Sequence, residues 1–313
     1  MQQQLERYQH YVENVLTDPA LIEQNKALAN QLAEHDFKFI GDIPEEVYHT
    51  SLGISRSGLV DAQKNLNKFR FKHLDTNTTE TTLAMALGDM VHKAILEPHL
   101  LHSKYCSDAE IMADLSKYAS PRATKVYKEY RTKKEEEGLY LMPYDKYDEM
   151  KIMVEKIWNH PRASALLRDG MAEKSLYAKD PKTGLVCRVR PDYFLQDGIL
   201  VDVKTCLDAS EEEFSKKCAS MSYYLQAGFY TMVAEWLTGR KFQNFIFVCI
   251  EKEAPYDVAL WRADPAMLEV GQLEAERQLI RVAECFEKGF FPSFSPKIEN
   301  IGLPHWFLQN FSI

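Results

Sequence analysis

Asp192, Asp202 and Lys204 lie in a short stretch, rich in apolar residues, near the middle of the chain. The stretch CRVRPDYFLQDGILVDVKT (187–205) alternates like two β-strands around an Asp-Gly pair, with Asp192 in the first arm and Asp202 and Lys204 in the second. Residues two apart on a strand share a face, so Asp202 and Lys204 point to the same side of a sheet. Charged side chains in such an apolar run are costly to bury unless a partner compensates them.

Two kinds of partner fit this spacing. A two-residue turn at Asp197 and Gly198 places Asp192 nearly opposite Asp202. Neighbouring carboxylates repel unless a cation lies between them or one is protonated, and Mg²⁺ prefers such oxygen ligands. A lysine beside them can orient or deprotonate water and stabilise developing negative charge, which suits phosphodiester hydrolysis. The alternative is a partly buried Asp–Lys ion pair with Asp192 at a strand end.

The surrounding pattern predicts one α/β domain in which helices precede a sheet. Strands are predicted at 172–179, 185–196 and 199–206, followed by a buried strand in KFQNFIFVCIEK and a partner strand in YDVALWRA. Helices are predicted at 4–33 with a break at Pro19, from Ser55 or Ser57 to about Phe71, and at 80–97, 122–137, 144–158, 210–219, 222–237 and 264–288.

The helix predicted at 80–97 carries a histidine beside its apolar face. An apolar residue recurs every four positions and Pro98 ends the helix; the stripe comprises Leu83, Leu87, Val91 and Ile95. His92 follows Val91 and lies about 100° further around the helix, so it borders the buried face. It is either a core histidine bonded to a backbone carbonyl or a metal ligand aimed at the carboxylates.

Composition limits the classes of protein that the chain can represent. Its 313 residues are 45% hydrophobic and 27% charged, with no apolar run of membrane-spanning length and no apolar signal core. The six cysteines form no CxxC pair, which disfavours a zinc ribbon or an iron–sulfur cluster. The net charge is −8, but basic residues concentrate in 64–73 and 117–134. Those stretches either bind phosphates or are solvated helical faces.

Four motifs together resemble a known nuclease family. RPD, with VDVKT further along, resembles the signature of the PD-(D/E)XK nucleases. GDMVHKAILEP (88–98) and AEKSLYAKDPKTGLVCRVRPD (172–192) resemble the RecE (exonuclease VIII) branch, and YYLQAGFY (223–230) resembles the Q-x-x-x-Y helix of RecB-like exonucleases. The resemblance covers about residues 40–290 in the correct order. It implies a PD-(D/E)XK core, a central mixed sheet flanked by helices, with an N-terminal helical elaboration.

The resemblance also implies roles for individual residues. Asp192 and Asp202 correspond to metal ligands, and Lys204 corresponds to the catalytic lysine. His92 would approach the same metal from the upstream helix. Glu173, on the first strand, would help to bind or orient the metal or its water; otherwise it is an exposed acid at a strand end.

Four further residues are expected to contact the site or the DNA. Gln226 and Tyr230 lie at i and i+4 on one helical face, where the family uses them at the active site or on the DNA backbone. Gln226 is counted among the catalytic residues as well. Arg188 and Arg190 alternate along the strand that leads to Asp192. The alternatives are packing for the first pair and neutralisation of nearby acids for the arginines.

At the level of the whole protein, the resemblance implies an ATP-independent, Mg²⁺-dependent exonuclease, with Mn²⁺ as a substitute. It implies 5′→3′ digestion of linear double-stranded DNA in recombination and double-strand break repair, leaving a 3′ strand for a RecT-like annealing partner. We expect a cytoplasmic homotetrameric ring built from one nuclease domain (1–313), with an N-terminal helical extension (1–40) and a catalytic core (80–290). The alternatives are an endonuclease with the same core and a non-catalytic DNA-binding module.

Overall fold

A computed structural model describes residues 1–76, 82–195, 197–295 and 297–311. The helices are α1 (Gln2–Asn14), α2 (Pro19–Glu34), α3 (Glu45–Thr50), α4 (Arg56–Lys64), α5 (Leu66–Arg70), α6 (Leu83–Leu96), α7 (Leu101–Lys104), α8 (Ala109–Asp114), α9 (Lys125–Glu136), α10 (Tyr144–Asn159), α11 (Pro161–Leu166), α12 (Glu211–Ser220), α13 (Tyr223–Thr238), α14 (Pro265–Lys288) and α15 (His305–Leu308). Within the described ranges, no helix is both long enough and apolar enough to cross a membrane.

The strands are β1 (Phe39–Gly41), β2 (Tyr105–Ser107), β3 (Tyr140–Met142), β4 (Met171–Ala172), β5 (Ser175–Lys179), β6 (Val186–Val189), β7 (Tyr193–Leu195), β8 (Ile199–Cys206), β9 (Asn244–Glu251) and β10 (Val258–Arg262). In the part of the chain that the structure describes, they form three sheets, of which the central one has five strands in the order β10-β9-β8-β7-β4. In it β8 runs parallel to β9 and the other neighbours are antiparallel. A three-stranded sheet has the order β1-β5-β6, and β2 pairs with β3.

The two faces of the central sheet pack against different helices. Val201, Val203 and Val248 face one apolar cluster, to which α6 and α10 contribute. Leu200 and Phe247 face the other, which is built largely from α13 and α14. Because side chains alternate along a strand, β8 serves both clusters at once. The architecture is the mixed sheet flanked by helices that the sequence predicted, and it is consistent with a PD-(D/E)XK core.

Two predicted strands are interrupted, and both interruptions move the chain from one sheet to the other. The strand predicted at 172–179 divides into β4 and β5, and the strand predicted at 185–196 divides into β6 and β7. Strands β4 and β7 belong to the central sheet, whereas β5 and β6 belong to the three-stranded sheet. Pro191 has no N–H to donate to a ladder, which explains the second break. Strands that bend from one sheet into another form the corners of packed sheets.

Most helix predictions are confirmed with small changes at the ends, but the helix predicted from Ser55 or Ser57 to about Phe71 is broken at the extended residue Asn65 into α4 and α5. The break at Pro19 separates α1 from α2, and Ser55 caps α4 by accepting a hydrogen bond from Gly58 N–H. Helix α6 begins at Leu83, while residues 80 and 81 of its predicted start lie outside the described ranges. Strands β9 and β10 pair as expected. The short strands β1, β2 and β3 were not predicted, because three residues carry too little periodicity to be recognised.

Candidate active site

The hairpin of β7 and β8 places the two aspartates opposite each other. Its register pairs Tyr193 with Val201, and continuing it by one residue sets Asp192 across from Asp202. The ladder ends at Leu195 opposite Ile199, so three residues connect the strands instead of the predicted two. The expected juxtaposition survives this change, because the pairing register and not the turn length determines which residues face each other.

Asp192 is buried at the point where the chain leaves the three-stranded sheet for the central sheet. Its Oδ2 accepts a hydrogen bond of 2.6 Å from the backbone N–H of Val203. The same oxygen lies 3.4 Å from Nδ1 of His92 on α6. Burial, and next the charge of Asp202, raise the pKa of Asp192 to about 6. A cation would relieve both effects, because each of them penalises the ionised carboxylate.

Helix α6 brings His92 to the sheet edge through close packing on β8. A side chain at Gly88 would lie 3.4 Å from Oγ1 of Thr205, so the helix runs near the strand at this position. Leu87, Val91 and Ile95 of the predicted stripe are buried in the cluster beneath α6, whereas Leu83, the first residue of the helix, is exposed. His92 is therefore held at the border of that face, on the side of the carboxylates.

Glu173 lies at the other point where the chain changes sheets. Its φ is +51°, a left-handed conformation that is uncommon for a residue with a side chain. Its N–H donates a 3.1 Å hydrogen bond to the carbonyl of Asp192, which joins the two switch points. Burial and the charge of Asp192 raise the pKa of Glu173 well above its usual range. Backbone strain of this kind concentrates at functional sites.

Asp202 and Lys204 point toward α13, where they form the ion pair that the sequence allowed. Gln226 Nε2 donates a 2.5 Å hydrogen bond to Oδ1 of Asp202, and the Lys204 ammonium contacts Oδ2. The same ammonium lies 4.9 Å from the ring centroid of Tyr223. Burial alone would lower the pKa of Lys204, but the charges of Asp202 and Asp192 outweigh it and raise that pKa. The lysine is therefore an ammonium at neutral pH in the metal-free protein.

The residues fit a hard divalent cation. Ligand atoms of His92, Glu173 and Asp192 all lie within 4.8 Å of one another. One imidazole nitrogen and two carboxylates, with no thiolate, suit Mg²⁺ or Mn²⁺. Oδ2 of Asp202 is buried beside the ammonium of Lys204, and an oxygen in such an ion pair keeps a lone pair that a cation could share. The predicted ligand set named Asp202 beside His92 and Asp192, whereas the structure groups Glu173 with those two residues.

Arg188 and Tyr230, both expected at the DNA, have their contacts inside the protein. Arg188 is buried and donates to the carbonyl of His49 at 2.8 Å and to Oγ of Ser51 at 2.7 Å. Tyr230 packs edge-on against Phe245, with 6.2 Å between the ring centroids. These contacts favour the alternative of a supporting role, and DNA binding by either residue stays a prediction.

Arg190 lies closer to the candidate metal cluster. It donates to the carbonyl of Ile43 at 2.6 Å and to Oγ of Ser175 at 2.7 Å, and its guanidinium stacks 4.1 Å above the ring centroid of Tyr48. Together with Glu173 it lines a cavity of about 300 Å³. It is thus positioned beside the acids, where it offsets their charge; contact with a phosphate stays a prediction.

Sequence analysis did not single out several charged residues that also line this cavity. Glu45, Lys93 and Lys104 line it together with Glu97 and Ser103. Glu45 stands in α3, for which the sequence predicted no helix, and Lys93 stands beside His92 in a recognised motif. The only available signal was the charge of these residues, which does not distinguish a cavity wall from a solvated face.

Similarity to solved structures supports the fold. A presumed exonuclease from Eubacterium rectale is 12% identical, with a TM-score of 0.58 over 86% of this chain and 98% of its own. An alkaline exonuclease from Laribacter hongkongensis is 15% identical over 64% of this chain and 95% of its own, but its TM-score is 0.25. Only the first overlap is large enough to indicate a shared fold.

Sequence comparison defines the family. None of the curated proteins matches the sequence. The profile of the PDDEXK-like domain of unknown function (DUF3799) matches residues 55–304. This range includes Glu173, Asp192 and Asp202, helix α6 with His92 and helix α13 with Gln226. The match extends over most of the chain, so the protein belongs to this PDDEXK-like family.

Proposed function

We propose that the protein is a metal-dependent nuclease that hydrolyses phosphodiester bonds of DNA. The observation that carries this proposal is the meeting of His92, Glu173 and Asp192 beside the Asp202–Lys204 pair. Acids with raised pKa values, next to a lysine that is only 16% exposed, indicate a site built for a cation and for an anionic transition state. The family assignment supports it, because the matched residues 55–304 include the acids and the lysine that resemble the PD-(D/E)XK signature.

Each side chain has a role that follows from its contacts. His92, Glu173 and Asp192 would hold Mg²⁺ or Mn²⁺, with Oδ2 of Asp202 available as a further ligand. The bound cation supplies Lewis acidity toward a phosphate oxygen and lowers the pKa of a water. Lys204, held as an ammonium by the acids, stabilises negative charge on the phosphate and can pass a proton to the leaving oxygen.

Gln226 and Arg190 complete the account of the site. Gln226 fixes the rotamer of Asp202 through its 2.5 Å hydrogen bond to Oδ1, so Oδ2 keeps its orientation toward Lys204. Arg190 places a fixed positive charge at the edge of the cavity that Glu173 lines. Neither residue needs to move a proton for these roles.

We further propose an ATP-independent exonuclease that digests linear double-stranded DNA in the 5′→3′ direction. The RecE-type motifs around His92, Asp192 and Gln226 support this, as does the exonuclease name of the Eubacterium rectale structure. A homotetrameric ring and a RecT-like annealing partner belong to the same proposal, and they rest on the resemblance alone. The remaining alternatives are an endonuclease with the same core and a non-catalytic DNA-binding module.

A digest of two DNA forms separates these activities. Purified protein with Mg²⁺ is given an end-labelled linear duplex and a covalently closed circle of the same sequence. An exonuclease degrades the linear DNA and leaves the circle intact, whereas an endonuclease cuts both. Binding without cleavage of either form would leave only the non-catalytic module. Labelling the 5′ and 3′ ends separately reports the direction of digestion.

A further inference from the structure

A segment that precedes the family match forms part of the wall around the candidate active site. The matched region begins at residue 55, yet residues 42–51, named here the wall segment, contact residues on both sides of the metal cluster. The carbonyls of Ile43 and His49 accept hydrogen bonds from Arg190 and Arg188, respectively. Tyr48 lies beneath both guanidinium groups.

Glu45 makes the charged contacts of the wall segment. Its carboxylate accepts hydrogen bonds of 3.1 and 3.2 Å from the ammonium of Lys104. It also lies 3.1 Å from the ammonium of Lys93. Burial opposes ionisation of this carboxylate, but the two lysines prevail and lower the pKa of Glu45 to about 2. The carboxylate is therefore charged throughout the pH range in which a nuclease works.

Lys93 belongs to α6, the helix that carries His92, and Lys104 forms an ion pair with a residue of that helix. Lys93 is the next residue of α6, and it is buried. Lys104 also contacts Asp89 of α6 at 3.2 Å, and the hydroxyl of Tyr105 donates a 2.5 Å hydrogen bond to that same aspartate. Glu45 thus links α3 to α6 at two positions that flank His92 in sequence. It contacts Lys93 directly, and it reaches Asp89 through Lys104.

We propose that Glu45 is a positioning residue of the metal centre: through Lys93 and Lys104 it fixes α6 so that His92 faces Asp192 and Glu173. This inference rests on the proposed metal site. A histidine on one helix must meet carboxylates at the two points where the chain changes sheets, and the 3.4 Å approach of His92 to Asp192 leaves little tolerance for movement of α6. Misplacement of about 1 Å at a reacting centre can cost about 100-fold in rate.

Glu45 could also act on a cation simply through its negative charge. The two accounts predict opposite effects when Lys104 is changed to methionine. Removing a positive charge near the site strengthens cation binding if only the field matters. Removing a link to α6 weakens cation binding if position matters, because His92 loses its fixed orientation.

The test measures Mn²⁺ affinity of the full-length protein by isothermal titration calorimetry, alongside DNA cleavage. The variants are Glu45→Gln, Lys104→Met and, as a matched control, Glu46→Gln, which alters an exposed acid in the same turn of α3. Glu45→Asp tests rescue, since it restores the charge on a shorter side chain. Thermal unfolding with and without Mn²⁺ shows whether each variant is folded.

We expect Glu45→Gln and Lys104→Met each to weaken Mn²⁺ binding about tenfold and to lower kcat with little change in KM for DNA. Glu46→Gln should match wild type, and Glu45→Asp should recover part of the affinity. Tighter Mn²⁺ binding by Lys104→Met, or wild-type binding by folded Glu45→Gln, would overturn the positioning role. Failure of the wild-type protein to bind Mn²⁺ at all would instead refute the proposed metal site.

Discussion

Nδ1 of His92 lies 3.4 Å from Oδ2 of Asp192, although His92 belongs to helix α6 and Asp192 directly precedes strand β7 of the central sheet. The separation is longer than a good hydrogen bond and short enough for both atoms to share one cation. The carboxylate of Asp192 is meanwhile held by the backbone of Val203. The Asp192 carboxylate of this pair is therefore held in a fixed position.

Metal dependence follows directly from this donor set. Activity should require Mg²⁺ or Mn²⁺, while Ca²⁺ should support DNA binding with little turnover, because hard oxygen and imidazole ligands predominate and no cysteine joins them in the described cluster. Cleavage rates measured across these ions after dialysis against chelator provide the check. Full activity in excess EDTA would contradict the prediction.

Replacing the ion pair on β8 should remove catalysis without unfolding the protein. Asp202→Ala and Lys204→Ala should each lower kcat by at least about 100-fold. The first removes the acid that holds the lysine and is available to the cation, and the second removes a positive charge that acts at the reacting phosphate. Lys204→Ala should still bind Mn²⁺. Asp197→Ala is the control, because it removes an exposed acid from the same hairpin. Near-normal cleavage by Asp202→Ala would refute its assignment to the site.

Gln226 should matter through Asp202 alone. Its hydrogen bond to a charged group is worth about 1.5–3 kcal/mol, which corresponds to a loss of roughly 10- to 100-fold in kcat for Gln226→Leu. KM for DNA should change little if Gln226 orients the carboxylate, and it should rise if Gln226 binds the DNA backbone. Steady-state kinetics on a linear duplex distinguish the two roles.

Asp192 should make the metal-free protein less stable as pH rises. Its folded pKa of about 6 exceeds the usual 3.8, so the folded state binds more protons between these values. Stability is therefore lost as pH rises through this window, and the loss is complete above the folded pKa. Asp192→Asn, which cannot ionise, should be more stable than wild type by about 3 kcal/mol at pH 8 in chelator.

Urea unfolding at pH 4 and pH 8 checks this sign. The advantage of Asp192→Asn should be present at pH 8 and should disappear at pH 4, where the wild-type carboxyl is protonated or nearly so in the folded state. Saturating Mn²⁺ should reverse the order at pH 8, because only the wild-type carboxylate binds the cation well. An Asp192→Asn variant that is less stable at pH 8 in chelator would exclude an unfavourable buried charge.

The sequence was sufficient to predict the hairpin of β7 and β8 and the histidine helix. Alternation in 199–206 fixed which residues of β8 share a face, and the stripe around Val91 placed His92 at the border of the buried side. Both inferences depend on local periodicity, which one strand or one helix contains in full. The α/β class followed from the same patterns.

The relation between the two sheets could not be read from local pattern. Glu173 joins the candidate metal cluster because the chain takes a left-handed turn there and changes sheets. Nothing about a glutamate between Ala172 and Lys174 predicts that conformation. Likewise, Arg188 is buried because a distant segment covers it. Such placements arise from contacts between residues far apart in sequence, so local periodicity does not predict them.

The central claim is that His92, Glu173 and Asp192 hold one catalytic cation, and anomalous diffraction from crystals soaked in Mn²⁺ tests it most directly. We predict an anomalous peak at roughly 2.0–2.4 Å from a ring nitrogen of His92 and from carboxylate oxygens of Asp192 and Glu173. A peak elsewhere, with His92 turned away from the acids, or no peak in crystals of protein that cleaves DNA with Mn²⁺, would contradict the account.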